Sequence, residues 1–88
     1  MQKNVLLILV KFRQQNAAKV QKILTGWGCL IKTRLGLHED TLDNCSENGL
    51  IFLELIGDPE KHAELTRKLN LVKGVQAKLI TLSVEDEK

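Results

Sequence analysis

"NVLLILVKF", Asn4 to Phe12, is a continuous run of branched and apolar side chains, and the fold turns on how it is read. The run is too short for a stable helix of its own and rich in branched side chains, so it reads as a strand buried on both faces and central in its sheet. It also lacks the length of a membrane span and the small-residue cleavage site of a secretory signal. "GLIFLELIG", Gly49 to Gly57, repeats this character, apolar from Leu50 to Ile56 except for Glu54. That is a second central strand.

Each of these strands leads into a helical pattern. In "RQQNAAKVQKILTGWG", Ala17, Val20, Leu24 and Trp27 recur at helical spacing with Ile23 beside them, and Gly26 or Gly28 ends the helix. In "DPEKHAELTRKLN", Asp58 is the expected cap, Pro59 the first helical residue and Glu60 a first-turn acid, with Ala63, Leu65, Thr66 and Leu69 as the core stripe. His62 reads as a residue of the helix surface or core rim. "CLIKTRLGL" alternates, with Cys29, Ile31, Thr33 and Leu35 on one face and Lys32 and Arg34 on the other, which suits an edge strand. "GVQAKLITLSV" is the last strand, followed by the charged residues Glu85 to Lys88, expected to fray.

The order is β-α-β twice, and the halves superpose in sequence. At a constant offset Val5 to Leu24 falls on Leu50 to Leu69, so that Val20 meets Leu65 and Leu24 meets Leu69; after a one-residue shift Gly28 meets Gly74. Two split β-α-β units make an α+β, ferredoxin-like βαββαβ sandwich: one domain over residues 1–88, a four-stranded antiparallel sheet with two helices on one face. The other face of such a sheet is ordinarily polar, yet both central strands are apolar on both sides. Covering it would bury several hundred Å², on the order of 10 kcal/mol before association costs. A second copy of the chain is the natural cover, giving a dimer or tetramer through sheet faces or edges. The alternative is that these strands stay partly exposed.

Composition narrows the function classes. With 88 residues, 43% hydrophobic, 27% charged and a net charge of +2, the chain reads as one globular domain. Its basic residues are interspersed with acids and there are few aromatics, so direct nucleic-acid binding is disfavoured. Cys29 and Cys45 form no CxxC pair and read as reduced thiols of a cytoplasmic protein. No membrane segment is expected.

The segments "VQKILTGWGCLIKTRLGL" and "GLIFLELIGDPEKHAELTRKLNLVKGVQAKLITL" together resemble the small ACT-like iron-only hydrogenase system regulators, themselves similar to the C-terminal ligand-binding domain of the nickel-responsive regulator. The most specific pieces are the Arg34 and Gly36 step, the stretch from Lys68 to Val75 and the Lys78 position. The resemblance implies a regulatory domain that oligomerises through its sheets. Where the nickel regulator has paired histidines, this chain has Thr33 and Leu35, or Arg34 and Gly36 in the other register, so that metal site does not carry over. Nor does the Asp and Gly turn of amino-acid-binding ACT domains, replaced here by "FRQQNA". Only Met1 to Asn4 precede the first strand, where a DNA-reading arm would stand.

An 88-residue sandwich has too thin a core for a cavity of its own, so a small-molecule effector is expected where copies meet. Arg34 and Gly36 are the candidate effector-binding residues: Gly36 permits close approach, and Arg34 offers a forked donor to a carboxylate or phosphate. They read equally as a solubilising edge residue and a bend. No catalytic residues are assigned and no cofactor is specified; Arg13 and Asn16 follow the first strand without the Gly-rich cradle of a phosphate-cleaving enzyme. A scaffold module without a small ligand is the other reading.

The polar loop after Leu37 holds His38, Glu39, Asp40, Asp43 and Cys45. His38 and Cys45 supply donors suited to a divalent transition metal and so a metal-sensor alternative, but their spacing is unspecific and the loop reads mainly as a connection. For a connection, His38→Ala and Cys45→Ser each change stability by less than about 0.5 kcal/mol in urea titrations. Stoichiometric metal in the purified protein, lost in both variants, would instead select the sensor.

Overall fold

The computed structural model describes residues 1–11, 13–38 and 48–85, excluding the side chains of residues 13, 14, 37 and 38. Strand β1 spans Gln2–Val10, helix α1 Arg13–Gly26, a short 3₁₀ turn Gly28–Leu30, β2 Ile31–His38, β3 Gly49–Leu55, α2 Pro59–Asn70 and β4 Val75–Ser83. The strands form one antiparallel sheet in the order β2-β3-β1-β4, the βαββαβ sandwich expected from the sequence. The two apolar strands are central, and β1 begins and ends two residues earlier than its apolar run.

Register divides the side chains between two faces. Leu6, Ile8 and Val10 of β1 pair with Leu53, Ile51 and Gly49 of β3, and with Leu79, Ala77 and Val75 of β4. These inward positions meet Val20 and Leu24 of α1 and Leu65 and Leu69 of α2 in one core. Leu6, Ile8, Leu53, Leu65 and Leu69 are fully inaccessible. The internal repeat survives in this geometry, because inward Leu6, Ile8 and Val10 occupy the same offset positions as inward Ile51, Leu53 and Leu55.

Several expectations are corrected. The α1 stripe holds at Val20, Ile23, Leu24 and Trp27 but not at its first position: Ala17 is exposed, and Asn16 is buried one turn before Val20. Its amide donates to the carbonyls of Lys11 (2.7 Å) and Lys73 (3.0 Å), joining the end of β1 to the loop before β4. Beside it the Lys11 amide donates to the Gly74 carbonyl at 2.7 Å, and Gly74 takes a φ of 85° that favours glycine. In α2, Ala63 is exposed, whereas His62, expected at the surface or rim, is fully buried. Its imidazole can be sheltered because Nε2 lies 2.7 Å from the Ile56 carbonyl. The helix start is as read: Asp58 Oδ1 accepts from the Glu60 amide at 2.9 Å, with Pro59 first. On the exposed side of α2, Arg67 donates to Glu64 and holds that carboxyl below its ordinary range.

The second strand also differs. Cys29 belongs to the 3₁₀ turn, and a bulge between Ile31 and Thr33 breaks the alternation. Ile31 pairs with Leu55 on the inward face, whereas Thr33 pairs with Glu54 and Leu35 with Phe52 on the opposite one. No helix among the described residues is long and apolar enough to cross a membrane.

Asn16→Ala leaves the Lys11 and Lys73 carbonyls without this partner and should destabilise the chain by about 1–3 kcal/mol. Ala17→Ser, on the exposed side of the same turn, should stay within about 0.5 kcal/mol. Urea denaturation of the two variants checks which of these neighbours faces the core.

Candidate functional site

The sheet face away from the helices is built from every second residue of each strand. Leu7 and Leu9 of β1 pair with Phe52 and Leu50 of β3, and Leu35 of β2 flanks Phe52. On the other side Val5 pairs with Ile80, with Leu82 beyond it. Neither helix covers these side chains: Leu9 is 46% and Leu35 52% exposed, whereas the inward neighbours Ile8 and Leu53 are inaccessible. The result is an exposed apolar patch on the second face of the central strands.

The charged residues on this face are few and arranged around its margin. Glu54, opposite Val5 and Thr33, receives Lys3 at 3.1 Å and Lys32 at 3.9 Å. Lys78 stands opposite Leu7 on β4. Both lysines bonded to Glu54 remain about half exposed, so the pairs contribute little stability but leave its carboxylate compensated.

The sequence-derived effector residues lie elsewhere. Arg34 pairs with Leu53 and Gly36 with Ile51, which turns both toward the helix side of the sheet, on its outermost strand. Both are exposed, and Arg34 makes no ion pair among the described residues. A Cβ built on Gly36 would meet nothing within 4 Å among the described residues. Of the loop residues, Glu39, Asp40, Asp43 and Cys45 lie outside the described residues. For His38 only the backbone is described; it pairs with Gly49. Among the described residues no cluster of three or more His, Cys, Asp or Glu could hold a metal.

A different concavity was not signalled by any motif. At the C-terminal end of α1, Gly26, Trp27, Cys29 and Leu30 face Lys61 of α2 across an open depression of about 340 Å³. Trp27 forms part of its wall and carries the Lys68 ammonium 5.9 Å from its ring centroid. The Leu30 carbonyl accepts from the Ile56 amide at 2.8 Å, and the Ile56 carbonyl holds the buried His62 ring, so this corner is braced from within. The ring's Nδ1 finds no partner among the described residues. The sequence held no signal for this corner beyond an apolar helix end rich in glycine.

No protein-family model and no curated protein matches the chain. Among solved structures it is similar to an uncharacterised protein from Thermotoga maritima, at 25% identity and a TM-score of 0.78, over 94% of this chain and 100% of that one. It is also similar to the ACT domain of the GTP pyrophosphokinase of Chlorobium tepidum, at 16% identity and 0.64, over 100% and 92% of the chains. A third likeness is to a nitrogen regulatory PII-like protein from Thiomonas intermedia, bound to ADP, AMP and bicarbonate, at 11% identity and 0.58, over 98% of each chain. The fold is ACT-like and ferredoxin-like.

The assignment of faces makes adjacent leucines respond differently. Leu6→Lys places an ammonium in the closed core and should unfold the protein. Leu7→Lys, whose stem can reach solvent from the open face, should leave the chain folded. Far-UV circular dichroism with thermal melts separates the two, and a folded Leu6→Lys would contradict the register.

Proposed function

We propose that this chain is a regulatory domain that acts as an oligomer of identical copies and binds a small effector where copies meet. The observation that carries the reading is the uncovered apolar face around Leu7, Leu9, Leu35 and Phe52, on a chain whose helices are already committed to the other side. The ACT-like and PII-like likenesses support a regulatory rather than an enzymatic role, and the PII-like neighbour's nucleotides make an anionic effector a reasonable class. Arg34 and Gly36 are the proposed effector contacts: an exposed guanidinium beside a position without a side chain offers a forked donor and room for a ligand. Regulation of an iron-only hydrogenase system is the finer proposal, supported by the sequence resemblance through the Arg34 and Gly36 step and the Lys68 to Val75 stretch.

Sedimentation equilibrium at micromolar concentration should give a multiple of 9.9 kDa, reduced by Leu7→Lys. A thermal-shift screen of adenine nucleotides, amino acids and divalent metals should identify a stabilising ligand. Saturation at 100 times Kd adds about 2.7 kcal/mol, enough for a shift of several degrees. Arg34→Ala should abolish the shift given by an anionic ligand while leaving the unliganded melting temperature in place. A monomeric mass would overturn the oligomeric reading, and a flat screen the effector.

A further inference from the structure

The two edges of the sheet are finished differently. The β2 edge is interrupted by the bulge between Ile31 and Thr33 and carries Lys32 and Arg34, devices that discourage another strand from adding to it. The β4 edge has no such interruption, since its pairing with β1 runs without a shift from Gln2↔Ser83 to Val10↔Val75.

Part of that edge is nevertheless closed. The Asn70 side chain, at the last residue of α2, accepts from the Ala77 amide at 2.7 Å and donates to the Ala77 carbonyl at 3.0 Å. A single carboxamide thereby takes the place that a neighbouring strand would fill at that residue. The same contact fixes the phase of the strand. In an antiparallel ladder, residues alternately direct both backbone groups at the neighbour and away from it. Ala77 gives both to Asn70, so it faces away from β1, and so do Leu79, Thr81 and Ser83. The reciprocal bonds between Met1 and Val84, at 2.8 and 2.9 Å, agree with this phase from the other end.

The open part of the edge is therefore Leu79–Ser83, a stretch without charge, proline or bulge. Exposed apolar residues gather in and beside it: Leu82 is 60%, Val84 63% and Met1 65% accessible. The stretch is also self-complementary. An antiparallel pairing about Thr81 sets Leu79 against Ser83 of a second copy and engages every outward backbone group from Leu79 to Ser83. It places Ile80 beside the second copy's Leu82 on the open face, with no like charges opposed. A register shifted further toward the start of the strand would need the groups that Asn70 already occupies.

We propose that Leu79–Ser83 pairs antiparallel with the same segment of a second copy, continuing the sheet across a two-fold axis at Thr81, and that Asn70 sets this register by closing Ala77. The inference rests on the oligomeric reading above and specifies one of its contacts.

Hydrogen exchange on the unmodified protein tests it directly. At concentrations where the chain sediments as an oligomer, the amides of Leu79, Thr81 and Ser83 should exchange at least about 100-fold more slowly than unprotected amides. Thr81→Pro, which removes an outward donor that β1 does not use, should lower the mass of the assembly while circular dichroism stays unchanged. Rapid exchange at these amides in a chain that still sediments as an oligomer overturns the edge pairing and leaves the oligomeric reading standing. A monomeric wild-type mass overturns both, whatever the exchange rates. A folded Thr81→Pro that keeps the full assembly mass overturns the pairing as well; should that variant fail to fold, the exchange rates of the unmodified protein decide.

Discussion

Two helices can cover only one face of a four-stranded sheet, and β1 and β3 are apolar on both. Most features of the molecule follow from that imbalance. Leu6, Ile8 and Val10 commit one side of β1 to the helices, and Leu53 and Leu55 do the same for β3. The alternate residues Leu7, Leu9 and Phe52 are then turned outward by the two-residue period of a strand. A one-residue slip would exchange the two sets, but it would bring Glu54 into the core and expel Leu53, so the register is firmly held.

Polar side chains complete what the apolar core leaves open. Asn16, His62 and Asn70 each sit where a helix meets the end or edge of a strand, and each bonds to backbone rather than to another side chain. Asn16 ties the start of α1 to the loop before β4, His62 ties α2 to the end of β3, and Asn70 ties α2 to the first part of β4. Hydrophobic burial alone would permit the helices to slide over a smooth sheet. These bonds define where they stop, most strongly at buried Asn16 and His62, where a displaced amide or imidazole would lose its partner while still shielded from water.

The central strands, the start of α2 and the fold class were legible because their signals are local. The runs from Val5 to Val10 and from Leu50 to Ile56 admit few alternatives, and Asp58 followed by Pro59 is a stereochemical start signal. The polar brackets were not legible. Asn16 and His62 belong to residue types that usually face water, and their burial depends on carbonyls distant in sequence: Lys73 for the first and the end of β3 for the second. The bulge in β2 was hidden for a related reason. Cys29, Ile31, Thr33 and Leu35 alternate smoothly on paper, so nothing local says that Ile31 faces the core while Thr33 and Leu35 face out. The same bulge sends Arg34 and Gly36 to the helix side of the sheet.

That placement separates two kinds of contact that the sequence alone would merge. Arg34 and Gly36 occupy the β2 edge on the helix side, whereas the apolar surface lies on the opposite face and the unobstructed edge lies at β4, across the whole width of the sheet. Pairing of two copies along β4 leaves both β2 edges at the outer margins of the joined sheet, with their guanidinium groups as far from that seam as the sheet permits. An effector held by Arg34 between copies would then require a second kind of contact, made by the apolar faces or by the β2 margins. The charge distribution fits such a division of labour. The β4 stretch from Leu79 to Ser83 carries no charge, which would suit a seam, and the β2 edge carries Lys32 and Arg34, which discourage pairing there. On the proposed reading, assembly along β4 and ligand response at β2 would thus fall to opposite edges of one sheet.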